Sequence, residues 1–193
     1  MTEHSLRVAV VGVGHVGSHH ARILSSLAGA ELVAAVDIDE GSAIRAARGT
    51  SAKAETDVEA LKGRVDAVIV AVPTKNHLEV VRPLLNAGIP VLVEKPMASN
   101  LAEADEMLAL AKHSGTCLAV GHTERFNPAL TTTLPLVDKP RFIEVHRLGA
   151  HTSRSLDIDV VFDVMIHDLD VILNVLNSDV VSIEAVGVPI LSD

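Results

Sequence analysis

"LRVAVVGVGHVG", residues 6–17, joins an apolar, β-branched run to a glycine pattern. A run such as Val8–Val11, with no polar residue to face water, reads as a strand covered on both faces of a parallel sheet. Gly12, Gly14 and Gly17 then supply G-x-G-x-x-G, and a helix-compatible segment (15–28) follows. Between a strand and a helix, this motif makes a pyrophosphate cradle. Gly12 permits the tight turn, Gly14 lets the backbone approach the phosphates, and Gly17 lets helix and strand pack closely. The helix start adds free N–H groups and a positive dipole end. Val13, His15 and Val16 belong to the same cradle. The alternative is a glycine-rich turn that holds no ligand.

The next run, "ELVAAVD" (31–37), ends in Asp37. A carboxylate there can accept hydrogen bonds from both adenosine ribose hydroxyls and repels a 2′-phosphate. Ile38 and Asp39 follow, so neither position offers an arginine to that phosphate. The expected cofactor is therefore NAD rather than NADP. The plainer role for Asp37 is to cap the following helix.

Further apolar runs lie at 65–72, 90–95 and 117–120, with helical patterns at 40–48, 76–87 and 100–113. Asn100 and Glu103 resemble a capping box, and Gly88 and Gly115 stand where helices should stop. This alternation argues for a doubly wound α/β domain over residues 1–121. Ligands in such domains sit beyond the carboxyl ends of the strands. Two phrases fall there. "AVPTKNH" (71–77) offers Val72, Pro73, Thr74 and His77 to the cofactor, with Asn76 capping the next helix. "EKP" (94–96) brings Glu94 and Lys95 to the same edge, and Pro96 should hold Lys95 in extended backbone.

After Gly121 the texture changes. "RFIEVHRLG" (141–149) and "VVSIEAVGV" (180–188) alternate like strands with one wet face. Between them come a loop at 150–159 and an apolar helix at 160–176. On that helix Asp163, His167, Asp170 and Asn174 recur at i, i+4, i+7 and i+11, which lines up one narrow polar stripe. A solvated stripe is the ordinary reading. Wet faces, however, are broad and mix in lysine and arginine, and no basic residue follows Arg154. The sharper reading is a cleft wall, with an aspartate beside a proton-moving histidine. Glu124, Arg125 and Asn127 follow a strand end and could touch nicotinamide or sugar. Arg154 is a candidate for a sugar-nucleotide phosphate. Surface-loop roles compete for all four.

Composition excludes other classes. The 193 residues carry a net charge of −9, with no Trp, no Tyr and three Phe. That combination disfavours phosphate backbones and leaves no aromatic platform for stacked bases. Cys117 is the single cysteine, so no internal disulfide framework exists. No apolar run approaches membrane-span length, and the N-terminus lacks a signal pattern. The expected location is cytoplasmic, and no metal site is expected.

"GVGHVG", "VD" (36–37), "PTKNH", "EKP" and "DVMIH" together resemble the glucose–fructose oxidoreductase/inositol dehydrogenase (Gfo/Idh/MocA) family. The resemblance implies an N-terminal Rossmann domain followed by an α/β domain with an open-faced sheet, here residues 122–193. It also implies hydride transfer between a sugar or cyclitol and a nicotinamide cofactor. Lys95 matches the family's catalytic lysine; Asp163 and His167 match its Asp-x-x-x-His pair. Homo-oligomers would form through the second sheet. The phrases "GHTERFNPAL", "RFIEVHRL" and "RSLDIDVVFDVMIHDLD" look like the branch that oxidises C3 of UDP-N-acetylglucosamine to feed lipid A precursor synthesis. Members normally continue well beyond this length, so the second domain is expected to be incomplete and turnover to suffer. The alternatives are a dehydrogenase of another sugar or cyclitol, a non-catalytic NAD- and sugar-binding sensor, and a cofactor-binding fragment.

Overall fold

The computed structural model describes residues 5–148, 159–176 and 178–188. Six strands form one wholly parallel sheet in the order β3-β2-β1-β4-β5-β6. They are β1 (Leu6–Val11), β2 (Ala30–Val36), β3 (Lys53–Glu55), β4 (Ala67–Val70), β5 (Val91–Val93) and β6 (Leu118–Val120). The order runs outward in both directions from the β1–β4 pair. Crossovers on its two sides therefore lie on opposite faces and leave a crevice at the strands' carboxyl ends.

The helices are α1 (His15–Leu24), α2 (Glu40–Ala47), α3 (His77–Asn86) and α4 (Leu101–Ser114). One apolar cluster, with Val8, Val10, Leu32 and Ala35 on its strand side, packs against Ala21 and Leu24 of α1. The other brings Val81, Leu84 and Leu85 of α3 and Met107 and Ala111 of α4 onto Val68, Val70, Val91 and Val93. Asn100 caps α4 by accepting from the Glu103 N–H at 3.0 Å, and the Glu103 carboxylate accepts in return from the Ser99 N–H. Gly115 ends α4 in the left-handed region at φ 65°. The strand–helix rhythm and both ends of α4 thus follow the sequence reading. β3 is an addition: three residues, none fully buried, carry no apolar run to announce them.

Beyond the sheet lie α5 (Pro128–Thr133) and α6 (Ile166–Val175). Two expectations are corrected here. The segments 142–148 and 178–188 form no strand and are almost wholly exposed. Alternation marks a capacity to pair, but a strand exists only through a hydrogen-bonded neighbour, and neither segment has one among the described residues. The helix expected over 160–176 is also not α-helical throughout: Val161–Met165 is one turn of π-helix leading into α6. Asp159 seats its start, its Oδ1 accepting from the N–H groups of Val161 and Phe162 at 2.9 and 3.0 Å. The expected loop over 150–158 lies outside the described residues. No helix among the described residues is long and apolar enough to cross a membrane.

Candidate active site

The glycine loop leaves β1 at the centre of the sheet. Gly12 has φ +82°, and a Cβ there would stand 2.6 Å from the Val72 nitrogen. At Gly17 a Cβ would meet the Gly12 carbonyl oxygen at 1.8 Å, so helix and turn touch through bare backbone. Gly14 faces open space instead: a Cβ there would have no neighbour within 4 Å. The loop thus has a packed inner side and an open outer side, as close approach of a pyrophosphate requires.

A cleft of about 710 Å³ opens beside it. Of the residues anticipated for the cofactor, Gly12, Gly14, His15, Val16, Asp37, Ile38, Val72, Pro73, Thr74, Glu94 and Lys95 line this space. Val13 acts from just behind. Its N–H donates to Asp37 Oδ2 at 2.9 Å, while Asp37 Oδ1 accepts from the Asp39 N–H at 3.0 Å. Asp37 therefore ties the end of β2 to the glycine loop as well as facing the cleft. Gly17 serves packing alone.

His77 departs from the expectation. It is 1% exposed and absent from the cleft lining. Its Nε2 lies 2.9 Å from the Val72 carbonyl oxygen and its Nδ1 3.2 Å from that of Met97. The side chain turns inward as a strut between two loops and supports the cleft from behind. Thr56, Asp57 and Val58, which follow β3, line the cleft unannounced. Arg45 is unannounced too. Positions 38–39 hold no arginine, yet α2 carries Arg45 back to within 3.4 Å of Asp39 Oδ2 and 2.7 Å of Ser42 Oγ.

At the other end of the cleft stands Lys95, joined to Pro96 by a cis peptide bond. Its ammonium donates to the main-chain oxygen of Asp163 at 2.6 Å and to Asp163 Oδ1 at 3.1 Å. The π-turn is what sequence periodicity could not reveal, and such turns recur at functional sites. It presents both a carbonyl and a carboxylate of one residue to one ammonium.

His167 lies one turn further on. Its Nδ1 is buried without a partner among the described residues. Burial lowers its pKa below the ordinary histidine value, and the Lys95 charge lowers it further. The imidazole is thus held neutral, as a proton acceptor must be. Asp170 accepts a two-pronged ion pair from Arg125 at 2.7 and 2.5 Å. That hydrogen bond holds its carboxyl below the usual range and raises the Arg125 pKa. Asn174 is exposed. The polar stripe therefore runs from the Lys95 contact through an ion pair to water.

The three residues after β6 divide. Arg125 is committed to Asp170. Asn127 caps α5, accepting from the Ala129 N–H at 3.0 Å, and donates to Glu124 Oε2 at 3.0 Å. Glu124 is close enough to His167 to oppose the lowering of its pKa. Arg154 lies outside the described residues.

A parallel sheet in this order, with a glycine cradle at its switch point, defines a dinucleotide-binding fold, and Lys95 meets Asp163 at one end of its cleft. The chain belongs to the Gfo/Idh/MocA oxidoreductase family, whose NAD-binding Rossmann-fold model matches residues 6–122, and its cofactor is NAD. UDP-N-acetylglucosamine 3-dehydrogenase from Acidithiobacillus ferrooxidans is 36% identical over 189 residues, 97% of this chain and 60% of that protein. Its crystal form in P21 superimposes with a TM-score of 0.90 at 35% identity, over 97% of this chain and 62% of the other. The NAD-dependent scyllo-inositol 2-dehydrogenase of Bacillus subtilis is 30% identical over 198 residues, 96% of this chain and 58% of that protein. GenD2 from gentamicin A biosynthesis, solved in complex with NAD, matches 68% of this chain and 38% of its own at 33% identity and a TM-score of 0.64. The chain spans about 60% of the length of the curated relatives it matches.

Proposed function

We propose that the protein is an NAD-dependent oxidoreductase acting on a sugar CH–OH group, with C3 of UDP-N-acetylglucosamine as the reacting centre. The observation that carries the reading is the meeting of Lys95, from the end of β5, with Asp163 beside a histidine held neutral. Gly12 to Gly17 and Asp37 would hold the cofactor's pyrophosphate and adenosine ribose. Bound NAD supplies a hydride acceptor, and that chemistry is its own. The chain supplies the proton traffic. His167 Nε2 takes the hydroxyl proton, and Lys95 Nζ hydrogen-bonds the reacting oxygen. Asp163 aims the lysine, and burial of the wall strengthens each of these contacts. Of the residues after β6 we assign Glu124, whose charge reaches His167, to the sugar.

The choice of a UDP-sugar rests on the similarity to the Acidithiobacillus enzyme, which extends over 97% of this chain. The inositol dehydrogenases favour a second reading, a free cyclitol as substrate. Incubating the enzyme with NAD and a panel of UDP-sugars, free sugars and inositols, while following NADH absorbance, separates the two. Turnover confined to UDP-linked N-acetylhexosamines supports the first reading. Faster turnover of an inositol than of every UDP-sugar offered overturns it.

A further inference from the structure

A second charged contact joins the cofactor helix to the lysine turn. His20 lies on α1, and Glu94 follows β5 immediately before Lys95. His20 Nε2 is 2.6 Å from Glu94 Oε1. A carboxylate only accepts, so the ring nitrogen donates. The two side chains are 18% and 15% exposed, and charge-assisted contacts of that kind are strong. Glu94 Oε2 also accepts, at 3.3 Å, from the Lys95 N–H. The space beneath the carboxylate exists because position 121 is glycine: a Cβ there would come within 3.1 Å of the Glu94 Cδ and both oxygens. The missing side chain at Gly121 seats the carboxylate, and His20 draws it toward α1.

Glu94 is a negative group next in sequence to an ammonium. Released from His20, it can turn to the Lys95 ammonium and draw it off Asp163. We propose that His20 is a positioning residue. By holding Glu94 it leaves Lys95 aimed at Asp163, and it couples the glycine-loop helix to the acid–base wall. The role given to Lys95 here rests on the function proposed above.

The test is a double-mutant cycle between His20 and Glu94, read by hydrogen exchange of the 94–98 segment and by steady-state kinetics. His20→Ala should speed exchange of the Lys95 amide and lower kcat, each by about tenfold, the scale of one lost charge-assisted hydrogen bond. KM for NAD should move by less than about threefold, because the contact serves the lysine more than cofactor affinity. His20→Gln, whose amide donates at the reach of Nε2, should restore most of the loss. His20→Asn, too short to reach, replaces His20→Ala if that variant does not fold. In a Glu94→Gln background, removing His20 should cost less than about twofold, since a neutral amide cannot capture the lysine. An equal loss in both backgrounds, or unchanged exchange at Lys95 in the single variant, overturns the proposal. Absence of turnover with every sugar by the wild-type enzyme would refute the functional reading instead, and the exchange arm would still report on His20.

Discussion

NAD should be preferred to NADP by about a hundredfold or more, and the reason can be counted in lone pairs. An ionised carboxylate has about four acceptor positions. In Asp37 two are taken, by the Val13 and Asp39 N–H groups. The remaining two match the two ribose hydroxyls of an adenosine. A 2′-phosphate removes one of those donors, at about 1.5–3 kcal/mol for a hydrogen bond to a charged group. It also adds repulsion of about 1 kcal/mol for each pair of unit charges ~4 Å apart, even at the dielectric of water. The sum is about 2.5–5 kcal/mol. Arg45 works the other way, but it already answers Asp39 and Ser42. Titration of NADH and NADPH by fluorescence or calorimetry measures the ratio. In Asp37→Ser, NADH should bind at least ~10-fold more weakly. Removing Asp39 as well should release Arg45 and raise NADPH affinity. Equal affinity of the wild-type protein for both cofactors would refute this reasoning.

Lys95→Ala and His167→Ala should each lower kcat by about 10²–10⁴, the range of positioned acid–base groups, while NADH still binds to His167→Ala. Because burial and Lys95 depress the His167 pKa, the acid limb of kcat/KM should fall below the ordinary histidine value near 6.5. Lys95→Met, if its residual rate allows measurement, should move that limb to higher pH; no movement would discount the coupling. The same depression has a sign for stability. The unfolded chain takes up the His167 proton first, so the contribution is present above about pH 6.5 and lost as pH falls toward the lower folded value. His167→Gln should flatten that part of a denaturation-versus-pH curve. Met107→Ala, at a fully buried site between α4 and the sheet, should cost about 2–5 kcal/mol in urea unfolding. Gly17→Ala should abolish NADH binding, since a carbon 1.8 Å from the Gly12 oxygen must push helix and loop apart.

What could be read from sequence was local. The β1 run, the three glycines, Asp37 and the Asn100 cap each depend on a few adjacent residues, and each falls where expected. β3 was illegible because three half-wet edge residues have no apolar pattern. His77 looked like a cleft residue because Pro73 and Thr74 beside it are; whether a side chain turns in or out after a tight turn is a matter of packing. The stripe from Asp163 to Asn174 is legible on α-helical spacing, but the π-turn in which it begins is not. The His20–Glu94 pair bridges 74 residues and the Lys95–Asp163 pair 68. No periodicity encodes such meetings. The strands expected at 141–149 and 180–188 show the same boundary from the other side, since alternation cannot supply a neighbour.

That 68-residue separation also orders events during synthesis. Strands β1 to β6 are complete once Val120 has left the ribosome, and domains tend to fold as they emerge, N-terminal part first. The glycine cradle and the Asp37 tie can therefore form while the residues that answer Lys95 are still inside the exit tunnel. Until Asp163 arrives, the nascent chain has a pocket for a redox cofactor and nothing opposite it to direct a proton. On the function proposed, capacity to hold the cofactor and capacity to use it are acquired at separate moments, in that order.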